Sequence, residues 1–72
     1  MRKNSPLPKV LGKRIQKARK QTGITQEKLA EKVGITTTYI GFIEQGRYAP
    51  SIEVLNKIAK VLGTKVKDIF PF

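Results

Sequence analysis

At least three times in this chain a glycine or proline is followed within two residues by a hydroxyl side chain and a run of helically spaced apolar residues. The sites are Gly23-Ile24-Thr25, Gly34-Ile35-Thr36 and Pro50-Ser51. Each reads as one helix ending and another beginning. Glycine accepts the left-handed backbone that closes a helix, and the hydroxyl accepts a bond from an N–H that the next helix cannot satisfy itself. A chain punctuated this way is committed to short helices. From about residue 9, Leu11, Ile15, Ala18 and Thr22 fall on one helical face while Lys13, Arg14, Lys17 and Lys20 cover the rest. Thr25 caps a second helix with Gln26 and Glu27 in its first turn. Ile24 and Leu29 are placed as a hydrophobic staple, and Leu29, Ala30 and Val33 point inward. Ser51 caps a fourth helix with Glu53 near its positive end and Ile52, Leu55, Ile58, Ala59 and Leu62 inward, closed by Gly63. A last turn or two, roughly Val66 to Phe70, stops at Pro71.

The segment GITTTYIGFIEQG, residues 34–46, conflicts with this pattern, because its β-branched and aromatic residues favour a strand. A lone strand among helices would leave its backbone groups without partners. Its apolar residues do not alternate, and its start repeats that of the second helix: Thr36 as cap, Ile35 and Ile40 as staple. The expectation is therefore a third helix, in an all-α, compact five-helix domain over residues 9–72. Residues 1–8, MRKNSPLP, read as a loose basic arm.

Composition narrows the chemistry. Seventy-two residues make one small domain with a modest core. There is no cysteine and no histidine, so the commonest metal ligands and the commonest general base are missing together. The acids Glu27, Glu31, Glu44, Glu53 and Asp68 are scattered singly, no Gly-rich phosphate loop occurs, and Ser5 and Ser51 have no base to activate them. No enzyme, no metal and no cofactor is expected. Fifteen Lys and Arg against five acids give a net charge of +10. A basic excess of this size attracts polyanions, with nucleic acid first and an anionic membrane surface second. No apolar run is long enough to span a membrane, and the N-terminus lacks the apolar core of a signal peptide, so a cytoplasmic location is expected.

Stepping residues 36–45 round at 100° separates two faces. Thr36, Tyr39, Ile40 and Ile43 form the stripe expected to be buried. Thr37, Thr38, Gly41 and Gln45 lie opposite, with Phe42 at one edge and Glu44 at the other. That outer face is small, polar and free of Lys and Arg in a strongly basic chain. Glycine inside a helix costs roughly 1 kcal/mol relative to alanine, and close approach of another surface is one reason to accept it. The major groove of DNA admits a single helix and offers base-edge polar groups and thymine methyls. Hydroxyls of Thr37 and Thr38, the Gln45 amide and a Phe42 edge suit such a surface, with Arg47 and helix 1 lysines at the phosphates. A solvated face with Gly41 merely tolerated accounts for the same pattern.

The segment QEKLAEKVGITTTYIGFIEQ, residues 26–45, resembles the helix-turn-helix of phage repressor/Cro-like (XRE-type) transcriptional regulators. That pattern has a small residue, here Ala30, where two helices cross and a glycine, here Gly34, at the turn. It has branched apolar residues, here Ile40 and Ile43, inside the second helix. TQEKLA, IEQGRYAPS and IAKVLG extend the likeness over about residues 10–70, and TTYIGFIEQGRYAPS also resembles short members that include restriction–modification controller proteins. The resemblance implies a five-helix repressor-like fold with helix 3 in the major groove and helix 2 across the backbone. It places Thr37, Thr38, Gly41 and Phe42 at base-reading positions, and Gln26, Thr36, Gln45 and Arg47 at backbone or base-edge positions. Arg19 and Glu44 match a structural ion pair between helices 1 and 3. It further implies a homodimer on double-stranded DNA; Ile69, Phe70 and Phe72 are expected to fold back on the small core, with a place in a two-fold dimer interface as the alternative.

Three other functions fit the sequence less fully. An antitoxin-type member would bind a partner protein as well as DNA. A protein-interaction member would have lost DNA binding, with Phe42 as an exposed aromatic anchor. A membrane-surface module would use the basic amphipathic helix at residues 9–22.

Overall fold

A computed structural model of the protein describes residues 7–70, so the basic arm at Arg2 and Lys3, and Phe72, lie outside the described residues. Five helices follow in order: α1 (Leu7–Thr22), α2 (Gln26–Val33), α3 (Thr37–Glu44), α4 (Ile52–Val61) and α5 (Val66–Ile69). The described residues contain no strand. Thr25, Thr36 and Ser51 each stand in extended conformation and accept a bond from the N–H three residues on, at 3.0, 3.0 and 3.1 Å. The first two helices close alike. Gly23 and Ile24 both donate to the Arg19 carbonyl, and Gly34 and Ile35 both donate to that of Ala30. Ile24 and Ile35 are thereby turned back against the core ahead of the next helix.

Leu11 and Ile15 of α1, Leu29, Ala30 and Val33 of α2, Ile40 and Ile43 of α3, Leu55, Ile58 and Ala59 of α4, with Leu62 and Ile69, make one buried cluster. Full burial of a side chain such as Ile15 or Ile40 contributes about 1.5–3 kcal/mol, which is how the strand-prone sequence of α3 is held helical. The crossing of α1 and α3 is close. A Cβ on Gly12 would collide with the Ile43 carbonyl oxygen and lie 2.7 Å from that of Glu44, so only glycine fits.

Several face assignments differ from the sequence expectation. α1 starts at Leu7, taking in Pro8 in the first turn, where a missing N–H is harmless. Thr22 is exposed, because α1 ends as it clears the core and its hydroxyl bonds the Ala18 carbonyl at 2.7 Å. Ile52 is 69% exposed: one turn ahead of Leu55, it runs past the edge of the core and rims a shallow apolar groove with Pro8, Ala49, Pro50 and Phe70. Thr36 is exposed rather than part of the buried stripe, since a capping residue sits ahead of the first helical turn. Glu44, expected at the edge of the outer face, is 5% exposed. Ile69 is buried and Phe70 packs against the core.

Candidate nucleic-acid interface

α2, the turn at Gly34 and α3 form a helix-turn-helix. Gly34 makes the turn at φ 88° and ψ 30°, a conformation costly for a residue with a Cβ. Ala30, 2% exposed, gives α2 a shallow surface on the core side, and Ile40 and Ile43 fasten α3 beneath it. This anchoring leaves Thr37, Thr38 and Gln45 exposed, and no acid in the first turn or base in the last turn of α3 adds charge to them. Gly41 lies between them. A methyl there would meet only the Gln45 Nε2, at 3.9 Å, so packing within the described chain gives no reason for glycine. Gly12 and Gly41 look alike in sequence, yet one is demanded by a neighbouring backbone and the other opens a flat outer surface.

Behind α3 lies a polar network that fixes its C-terminal end. Arg19 donates from Nε to Glu44 Oε2 at 2.6 Å and from Nη2 to Oε1 at 3.2 Å, a two-bond fork that suits guanidinium and carboxylate. Its Nη1 donates to the Ile24 carbonyl at 2.9 Å. Gln26, at the start of α2, donates from Nε2 to Glu44 Oε1 at 2.9 Å. One carboxylate thus ties α1, α2 and α3, and among the described residues no buried side-chain polar atom lacks a partner. Gln26 is half-buried, with one amide donor engaged inside the protein.

Past α3 the chain turns through Gly46 into Arg47 and Tyr48, whose N–H groups both point at the Phe42 carbonyl, at 2.8 and 3.4 Å. Phe42 is half-buried: its ring meets Tyr48 edge to face at 5.3 Å and 84°, and the Arg47 guanidinium lies 4.8 Å above its centroid. It is therefore not the free aromatic that the sequence suggested, and the protein-interaction reading loses its anchor. Tyr48, not singled out by sequence reasoning, has its signal only in the three-dimensional meeting of residues 39, 42 and 48.

The cations of α1 divide between two sides. Lys9 packs on Gly46, beside Arg47. Arg14 and Lys17 instead line a groove with Thr64 and Asp68 near α5. Leu11 and Ile15, the apolar residues that would face a membrane surface, are buried in the core instead. Among the described residues no helix is long and apolar enough to cross a membrane, and no group of three or more acids could hold a metal.

The helix-turn-helix family profile matches residues 15–69. An HTH-type transcriptional regulator of Archaeoglobus fulgidus is 44% identical over 59 residues, 82% of this chain and 84% of its own. The restriction–modification controller protein C.AhdI of Aeromonas hydrophila superposes with a TM-score of 0.84 at 28% identity, over 88% of this chain and 96% of that one. The biofilm master regulator SinR, solved in complex with DNA, superposes with a TM-score of 0.75 at 38% identity, over 79% and 92%. Its N-terminal DNA-binding domain, from Bacillus subtilis, matches at 0.80. Together with the turn at Gly34 and the anchored α3, these likenesses show that the chain belongs to the helix-turn-helix family of phage repressor/Cro-like DNA-binding transcriptional regulators.

Proposed function

We propose that the chain recognises a specific double-stranded DNA sequence by laying α3 in the major groove. The observation that carries this is the outer face of α3: two exposed threonines beside a glycine that nothing in the described chain requires, uncharged in a chain of net charge +10. Thr37 and Thr38 present hydroxyls and methyls to base edges across the flat Gly41, with the part of Phe42 left exposed toward a thymine methyl. Thr36, Gln45 and Arg47 meet the backbone or base edges at the margins of the groove. Gln26, held by Glu44, offers the rest of its amide at the start of α2, where the helix dipole favours an anion. SinR, solved in complex with DNA, supports DNA as the partner. A homodimer on paired half-sites matches the symmetry of such operators, and a cytoplasmic location accords with the role.

The test is titration of the protein with a duplex recovered by selection from a random library, at several salt concentrations. Tight binding with a steep negative log–log salt slope is expected, and a scrambled duplex should bind far more weakly. Equal affinity for selected and scrambled duplexes, or none at low salt, would refute the proposal. Thr37→Ala and Thr38→Ala should each relax preference at one or two positions by about 1–3 kcal/mol while leaving the salt slope unchanged.

A further inference from the structure

Tyr39, Phe42 and Tyr48 are three of the five aromatic residues in the chain, and they meet at the turn that ends α3. Tyr48 touches Tyr39 edge-on at 6.0 Å and Phe42 at 5.3 Å while remaining 54% exposed, so burial of its own ring explains little of its placement. What the arrangement does is brace the Phe42 ring, which carries the Arg47 guanidinium 4.8 Å from its centroid. Among the described residues Arg47 makes no ion pair and no side-chain hydrogen bond, whereas Arg19 is bonded on all three nitrogens. The difference matters for ligand binding. A carboxylate partner would orient an arginine by neutralising it and occupying its N–H edge. An aromatic face orients the same group through the ring quadrupole and leaves charge and N–H donors free.

We propose that Tyr48 is a positioning residue for DNA recognition. Acting through Phe42, it holds the Arg47 guanidinium at the end of the recognition helix with its donor edge presented to a backbone phosphate. This rests on the DNA-binding reading above. The phosphate, rather than a base, is the partner, because Arg47 lies in the turn beyond α3, past the residues that the helix turns outward. Preorganisation removes part of the cost of ordering a long side chain on binding.

Two measurements test this on the full chain. The first needs no DNA. In the NMR spectrum the Arg47 δ-methylene and Nε–H protons should be shifted upfield by the Phe42 ring. Tyr48→Phe should retain the shift, Tyr48→Ala should reduce it, and Phe42→Leu should abolish it. The second is a double-mutant cycle on the selected duplex. Arg47→Ala should lower the magnitude of the salt slope by about one. Tyr48→Ala should weaken binding by about two- to fivefold when Arg47 is present and have no effect in the Arg47→Ala background. Tyr48→Phe should bind like the parent protein. Equal weakening by Tyr48→Ala in both backgrounds, or Arg47 protons at random-coil shifts, would overturn the positioning role while leaving the DNA reading intact. Absence of specific binding by the parent protein would overturn both, and the ring-current shift would then persist with no function attached.

Discussion

Replacing Glu44 by alanine removes the acceptor of three hydrogen bonds at once: two from Arg19, at 2.6 and 3.2 Å, and one from Gln26 at 2.9 Å. The side chains of the ion pair are 1% and 10% exposed for Glu44 and Arg19, so water does not replace the lost partner fully. Breaking a buried pair on one side typically costs about 3–5 kcal/mol. Arg19 keeps its bond to the Ile24 carbonyl and some contact with solvent, which places the expected loss near the lower end, about 3 kcal/mol. A domain of this length holds roughly 4–11 kcal/mol in total, so the variant would retain roughly 1–8 kcal/mol. At about 4–8 °C per kcal/mol, the midpoint of thermal unfolding should fall by roughly 12–24 °C. The exposed pairs Lys28–Glu31 and Lys57–Glu53, at 3.4 and 3.9 Å, offer an internal control, since removing either should cost under about 0.5 kcal/mol. The combined variant Arg19→Met with Glu44→Leu should recover most of the loss, because apolar groups of similar size leave no orphaned charge. Urea unfolding of the parent, of Glu44→Ala, of the single variants Arg19→Met and Glu44→Leu, and of the double variant measures all of this. A loss below about 1 kcal/mol for Glu44→Ala, or a double variant less stable than either single one, would show that the network is not what holds α1, α2 and α3 together.

The other consequences concern single positions. Gly12→Ala should destabilise by about 1–3 kcal/mol in urea unfolding, because its methyl meets two carbonyl groups of α3. Gly41→Ala should instead stabilise by up to about 1 kcal/mol while weakening binding to the selected duplex, and unchanged binding would remove the close-approach argument. Thr36→Ala should cost about 1 kcal/mol through loss of the bond to the Tyr39 N–H, seen as a lower unfolding midpoint. Ile52→Lys should leave stability within about 0.5 kcal/mol, against about 2–5 kcal/mol lost in Leu55→Ala, and a large loss in the former would mean that the rim of the groove is not solvent.

Helix starts and stops were legible in the sequence because each depends on residues three or four apart. Thr25, Thr36 and Ser51 cap the very N–H groups that local chemistry assigns to them, and Gly34 makes the turn that its missing Cβ allows. The apolar stripes of α2 and of the middle of α4 were legible for the same reason. Helical spacing alone also separated Thr37, Thr38 and Gln45 from Ile40 and Ile43. What a helical wheel cannot supply is the neighbour on the far side. Ile52 has the right phase for burial, but α4 runs out past the core there. Glu44 has the phase of an edge residue and is buried because Arg19, 25 positions earlier, is carried over it by α1 crossing at Gly12. The aromatic seat beneath Arg47 exists only where the turn after α3 folds Tyr48 back against Phe42. The sequence by itself therefore determined where the helices lie and that α3 turns Thr37, Thr38 and Gln45 outward, since those follow from contacts along one stretch of backbone. Only the tertiary structure decided which glycine is required and which carboxylate is buried, because each depends on two distant segments meeting within a few ångströms.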